Sequence, residues 1–298
     1  MNSNVSRRDF VRMMGALGIV GSATTPLARA ARNKKADDPK SPHVVFVTGD
    51  DEYRSEITMP FIAALLARDK RLKFKCTVLY ATNPQTGEQN PKYQKNIEGL
   101  EALKTADLAV FFLRFRALPD DQLKLILDYV NSGKPIVGFR TSTHAFRYPK
   151  GDKNEKYNTG FGTDIFGQRW ITHHGHKSST EVSIIPQMKD HPIFKGVYDG
   201  FTCGSWLYHV TPLVGDCEPL MMGKAVNSNK KDTDKFPLTQ PVMWTKTYKG
   251  ARVFFTTLGH PRDFEQYAFR RLVMNGIVWA LVMEVPDGGC LAEPKGAL

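Results

Sequence analysis

From residue 43 onward, short apolar runs alternate with stretches of helical period. His43-Val44-Val45-Phe46-Val47-Thr48 is continuous in apolar character and is closed by Gly49-Asp50-Asp51-Glu52, the mark of a strand buried on both faces of a parallel sheet. A helix is expected over about Met59–Arg68, with Pro60 in its first turn, where the missing N–H costs nothing. Phe74–Tyr80 reads as a second strand and Ala106–Arg114 as a third. Pro119–Asn131 places Leu123, Ile126, Leu127 and Val130 on one helical face, and Pro135–Phe139 gives a fourth strand after the stop at Gly133. Strand, helix and strand at this spacing predict an α/β fold: a doubly wound, mostly parallel sheet with helices on both faces.

The second half is less regular. Residues 147–179, rich in Gly, Asn, Lys and His, exceed by far the usual connection of about 4–6 residues, and loops of that length tend to be functional. A strand at Glu181–Ile185, a Lys189-Asp190-His191-Pro192 turn and a strand near Leu220 follow. A hairpin joins Pro241–Thr247 to Arg252–Thr257 through Lys249-Gly250. The last helix, about Phe264–Val282, aligns Phe269, Leu272, Val273, Gly276, Ile277 and Ala280 on one face and should close the sheet. With no internal repeat and no second linker, residues 43–285 read as one domain, preceded by a polar linker over 31–42 and followed by a tail over 286–298.

The first thirty residues belong to another class. Ser6-Arg7-Arg8-Asp9-Phe10-Val11, an apolar stretch from Met13 to about Ala23, and Ala28-Arg29-Ala30 fit a twin-arginine signal with an A-x-A cleavage site. The expected location is therefore periplasmic or secreted. The apolar run is short of the about 20 residues needed to span a bilayer, so no stable membrane span is expected. Removing residues 1–30 takes away four arginines and one aspartate and lowers the formal charge from +11 to +8. The remaining lysines form no stripe with interleaved aromatics, and export argues against nucleic acid as a partner. The four cysteines, at 76, 203, 217 and 290, show no metal-ligand spacing; export permits one bridge, and Cys203 with Cys217 is the pair close in sequence.

In open α/β sheets ligands bind beyond the carboxyl ends of the strands. The expected strand ends deliver Asp50, Asp51 and Glu52, then Arg114 and Arg116, then Arg140, Thr141, Ser142 and His144, and finally His260. Imidazole and carboxylate suit proton transfer, which makes His260 with Asp51 or Glu52 the candidate catalytic set. Arg140, His144, Arg114, Arg116 and Asp50 are candidates for holding an oxygen-rich substrate. Arg114 and Arg116 are two apart and would point to opposite faces while in the strand, so at most one should reach a shared site. Within the long loop, His173, His174 and His176 are candidate ligands of a divalent transition metal such as zinc; hydroxyl-binding and loop-stabilising imidazoles are the alternative. Tyr53, Tyr148, Trp170 and Trp206 are either a stacking wall for sugar rings or a cover for the core edge.

Several of these segments match a known pattern. Thr257-Leu258-Gly259-His260-Pro261, Ala268-Phe269-Arg270-Arg271-Leu272 and Gly276-Ile277-Val278-Trp279-Ala280 resemble the closing segment of the trehalose-utilisation (ThuA-like) family. Residues 135–144, Asp190-His191-Pro192-Ile193 and Pro241-Val242-Met243-Trp244 are similar to it as well. The resemblance implies a flavodoxin-like sandwich of the class I glutamine amidotransferase-like superfamily. True amidotransferases carry G-x-C at the elbow and H-P-E near the end, whereas this chain has Gly138-Phe139-Arg140 and His260-Pro261-Arg262. Without a thiolate, glutamine hydrolysis is not expected, and Asp263 could partly substitute for the glutamate. What the resemblance implies instead is carbohydrate metabolism. The expected role is a hydrolase or lyase processing a sugar or 3-keto-glycoside supplied by a partner sugar oxidoreductase, metal-assisted if the histidine loop holds zinc. A non-catalytic carbohydrate- or envelope-binding module is the alternative.

Overall fold

A computed structural model describes residues 41–293. The signal segment, most of the linker and residues 294–298 lie outside the described residues. The chain forms β1 (His43–Gly49), α1 (Ser55–Arg68), β2 (Lys75–Leu79), β3 (Leu108–Leu113), α2 (Asp120–Val130) and β4 (Ile136–Phe139). There follow α3 (Tyr157–Gly160), β5 (Thr172–His173), β6 (Ser179–Ile184), β7 (Phe201–Cys203) and β8 (Tyr208–His209). The last elements are β9 (Glu218–Val226), α4 (Lys230–Thr233), β10 (Thr239–Tyr248), β11 (Ala251–Thr256) and α5 (Tyr267–Ala280).

Nine strands make one sheet in the order β2-β1-β3-β4-β11-β10-β9-β6-β7. The pairings from β2 through β11 are parallel, and those from β11 to β7 are antiparallel. The sheet is therefore doubly wound in its first half and extended by a meander in its second. Because successive side chains leave a strand on opposite faces, the continuous apolar runs feed two cores. Val44 and Phe46 of β1, with Val110 and Phe112 of β3, pack on the face covered by α1 and α5. Val45, Val47, Ala109 and Phe111 pack on the face covered by α2 and by the 161–166 turn.

Three boundaries differ from the sequence reading. Helix α1 begins at Ser55, so Pro60 sits inside the helix rather than in its first turn; it removes one i→i−4 bond. The earlier start follows from the Asp50 loop, whose N–H donates to the Ser55 hydroxyl at 3.1 Å. Helix α5 starts at Tyr267, because His260 and Asp263 cap a separate 3-10 turn over Pro261–Glu265 and Gln266 is extended. The segment read as a tail is packed in its described part: Cys290 and Ala292 are fully buried, the Cys290 N–H donates to Asn275 Oδ1, and the Leu291 N–H donates to Asp69 Oδ2. Cys203 and Cys217 do not form the permitted bridge; all four cysteines are free thiols, with Cys203 buried in β7 and the Cys217 thiol donating to Val214 O.

Close packing of α5 on the sheet depends on Gly276. A Cβ there would stand 2.4 Å from the Phe254 ring of β11. Gly→Ala inside a helix ordinarily stabilises by about 1 kcal/mol, but overpacking a core costs about 1–3 kcal/mol. We therefore expect Gly276→Ala to lower stability by up to about 2 kcal/mol; chemical denaturation measures it, and a stabilised variant would refute the close contact.

Candidate functional site

The carboxyl ends of β1, β3 and β4 open on one side of the sheet. Phe139 is extended at φ −118°, and Arg140 then enters the left-handed region at φ 34° before a short 3-10 turn over Arg140–His144. That sharp turn sends the Arg140 side chain under the rim rather than out of it. The guanidinium is fully buried. It donates to Thr257 O at 2.7 Å and Trp206 O at 3.1 Å and to the Tyr53 hydroxyl at 3.2 Å. Its carbon lies 4.2 Å from the Tyr208 ring centre, 4.5 Å from that of Tyr53 and 5.8 Å from that of Trp206. Arg140 thus does not line the pocket as expected of a substrate clamp. It is a buried cation supporting the pocket's aromatic floor, each cation–π contact contributing about 0.5–2 kcal/mol.

Asp50 is likewise internal. One carboxylate oxygen accepts the Glu52 N–H at 2.9 Å and the Tyr53 N–H, and the other accepts the Thr141 hydroxyl at 2.6 Å. Burial raises its pKa to about 6, opposed by those hydrogen bonds. It fastens the loop after β1 to the turn after β4 and has no open side for a substrate. Arg116 is also fully buried, donating to Arg114 O and Tyr93 O. Arg114 alone of the two guanidines reaches the rim. It binds Asp51 at 2.8 Å and Glu52 at 3.0 Å.

These supports frame a pocket of about 220 Å³. Glu52 and Arg114 form one side; Tyr53, Phe115, Trp170 and Tyr208 supply aromatic walls; His144, His173 and His176 complete the lining. Phe115 holds its place with positive φ, 52°, under the guanidiniums of Arg114 and Arg147. Trp206 backs the wall by stacking on His176 at 4.1 Å. Of the aromatics singled out from the sequence, Tyr148 lies elsewhere, its hydroxyl bonded to Leu118 O in the core. Phe115 and Tyr208 were missed. Their sequence signals, an aromatic between two arginines and one two residues after Trp206, become visible only once the loops are placed.

The histidine loop does not form the expected metal centre. His174 is buried and turned away: its ring nitrogens bond the Ser228 hydroxyl at 2.8 Å and Pro237 O at 3.0 Å, joining the loop to residues 228–237. His173 and His176 do face the pocket, with rings 5.4 Å apart and nearly parallel. Among the described residues no group of three His, Cys, Asp or Glu side chains is placed to hold a metal ion. His173 Nδ1 contacts a carbonyl, His174 O, at 2.7 Å; a carbonyl only accepts, so Nδ1 carries the proton and Nε2 the lone pair. His144 has the same tautomer, because the Thr143 hydroxyl donates its one proton to Arg140 O and accepts from Nδ1. Desolvation, then Arg114 and Arg140, depress the His144 pKa to about 3; desolvation lowers that of His173 too. His144 and His173 therefore present neutral imidazoles to the pocket.

The ThuA family model, described as trehalose utilisation, matches residues 43–280. The chain belongs to the ThuA family. Among solved structures it is similar to a ThuA-like protein from Bacteroides uniformis ATCC 8492, at 16% identity and TM-score 0.55, covering 84% of this chain and 95% of that one. It is also similar to a ThuA-like protein from Parabacteroides merdae ATCC 43184, at 15% identity and TM-score 0.53, covering 81% and 90%. At such identities the likeness shows the fold, a flavodoxin-like sandwich. No curated protein matches.

Within this ThuA-family chain the amidotransferase triad is replaced by structural groups. Asp263 does not stand in for the missing glutamate. Its carboxylate accepts the N–H groups of Gly204, Ser205, Gly259 and His260 and the Ser205 hydroxyl. His260 caps the following turn, Nδ1 accepting the Arg262 N–H at 3.2 Å. It lies outside the pocket lining, against the rings of Tyr53 and Trp206. The expected catalytic set of His260 with Asp51 or Glu52 is therefore divided, with the carboxylates on Arg114 and the imidazole behind the aromatic wall.

The Asp50 carboxyl holds its proton to higher pH in the folded chain than in the unfolded one. Between pH 3.8 and about 6 the native state binds the extra proton, so its contribution to stability falls as pH rises through that window. Asp50→Asn keeps an acceptor for the two loop amides and removes the titration. The variant's stability relative to wild type should improve by about 3 kcal/mol between pH 3.5 and 7, measured by urea unfolding at both; an unchanged difference would overturn the burial argument.

Proposed function

We propose that the pocket between the β1, β3 and β4 ends binds one sugar ring and that the chain processes a sugar or 3-keto-glycoside within carbohydrate metabolism. The observation that carries this reading is the pairing of aromatic walls with a fixed ion pair in about 220 Å³. Pockets for drug-sized ligands run to about 300–1,000 Å³, so a single ring with its substituents is the size that fits. Sugar C–H faces stack on aromatic rings, while vicinal hydroxyls suit the donors of Arg114 and the acceptors of Glu52. The neutral Nε2 atoms of His144 and His173 add two acceptors. Membership of a trehalose-utilisation family supports the substrate class. The loss of both the thiol and the triad acid weighs against glutamine as the substrate.

Trp170, 39% exposed at the rim, offers a direct test. Saccharide binding followed by tryptophan fluorescence, with trehalose and a methyl 3-oxo-glucoside as probes, should weaken by about tenfold in Trp170→Ala, equivalent to about 1.4 kcal/mol. No saturable binding of either probe by the wild type would overturn the reading. The twin-arginine pattern at Arg7 and Arg8 supports export to the periplasm as part of the same proposal. Replacing both by lysine should retain the protein in the cytoplasm, as cell fractionation would show; unchanged export would remove the periplasmic assignment.

A further inference from the structure

The two-stranded ribbon β5–β8 lies outside the main sheet, and its register sets His173 directly opposite Tyr208. The two rings stand 6.1 Å apart at 24°, both on the pocket. Tyr208 is 2% exposed, and its hydroxyl makes no hydrogen bond within the described residues. Tyr208 nonetheless lines the pocket. Behind its ring lies the Arg140 guanidinium, 4.2 Å from the ring centre. Burial raises the pKa of this phenol, opposed by the Arg140 cation, so it keeps its proton and can donate it in a hydrogen bond to an oxygen acquiring negative charge. Opposite it stands an imidazole whose Nδ1–H is fixed on a carbonyl and whose Nε2 is basic.

We propose that His173 and Tyr208 are an acid–base pair for removing a proton from the carbon next to a sugar carbonyl. The step rests on the saccharide reading above. Nε2 of His173 takes the proton; the C–H electron pair forms the C=C bond of an enediolate; the carbonyl π pair moves to oxygen, where the Tyr208 hydroxyl donates to it. Return of the proton regenerates the ketone, and loss of a leaving group from the β carbon would carry the same intermediate on to elimination. No oxidant, reductant or metal enters the balance.

The test is hydrogen–deuterium exchange in D₂O at the two carbons flanking the carbonyl of methyl 3-oxo-α-D-glucopyranoside, read by proton NMR. Exchange above buffer is expected with the wild type. Tyr208→Phe, which deletes a hydroxyl without a hydrogen bond and keeps the ring over Arg140, should slow it by about 10²–10³. His173→Gln, which can still donate to His174 O, should slow it by about 10²–10⁴. Tyr208→Phe, which keeps the ring in the pocket wall, should bind the probe within a few-fold of wild type by tryptophan fluorescence. Binding without exchange in the wild type, or exchange undiminished in Tyr208→Phe, would overturn the acid–base assignment alone. Absence of binding would overturn the saccharide reading and this step with it.

Discussion

The burial of the Arg140 guanidinium organises everything around the site. A lone cation moved from water into a protein interior is penalised by several kcal/mol, and a guanidinium cannot escape by deprotonating. Its terminal nitrogens are met from several directions, by Thr257 O after β11, Trp206 O before β8 and the Tyr53 hydroxyl after β1, and its face by the rings of Tyr53, Tyr208 and Trp206, while Nε has no hydrogen-bond partner among the described residues. Four chain segments distant in sequence are thereby held at one point. The left-handed backbone at Arg140 is what aims the side chain there, a strain of the order of 1–3 kcal/mol that the surrounding contacts maintain.

Seen from this cation, the pocket is an aromatic shell whose charges are arranged by depth. Arg140 and Asp50 lie beneath it and hold its parts together; Arg114 with Asp51 and Glu52 lies at its side. Of the imidazoles between them, those of His144 and His173 are kept neutral by desolvation and by the nearby guanidiniums. The pocket thus sets imidazole lone pairs beside the Arg114–Glu52 ion pair.

The same frame explains what became of the amidotransferase chemistry. At the elbow a nucleophile has been exchanged for a structural cation. At the late motif the imidazole caps a turn, and the neighbouring Asp263 gathers four backbone N–H groups and a hydroxyl. The imidazoles and the phenol that line the pocket come instead from the turn after β4, from the long loop and from the ribbon it forms with β8.

Alternating apolar runs, stop signals and the hairpin at Lys249-Gly250 were legible in the sequence because each depends on neighbours a few residues away. They were enough for the α/β class, the strand ends as the place of the site, and, with the motifs around Gly138–His144 and Thr257–Pro261, the family. Glu52, Arg114, His144, His173 and His176 were also singled out in advance, and all five line the pocket. What the sequence could not separate was a polar strand-end residue facing the ligand from one facing the interior: Asp50 from Glu52, Arg140 and Arg116 from Arg114, His174 from His173. Those distinctions turn on single backbone dihedrals and on partners such as Thr141, Tyr93, Ser228 and Trp206, many tens of residues away in most cases. Only the tertiary structure supplies them, because a buried charge or imidazole is placed by whatever completes its hydrogen bonds, and those groups come together only when the strands do.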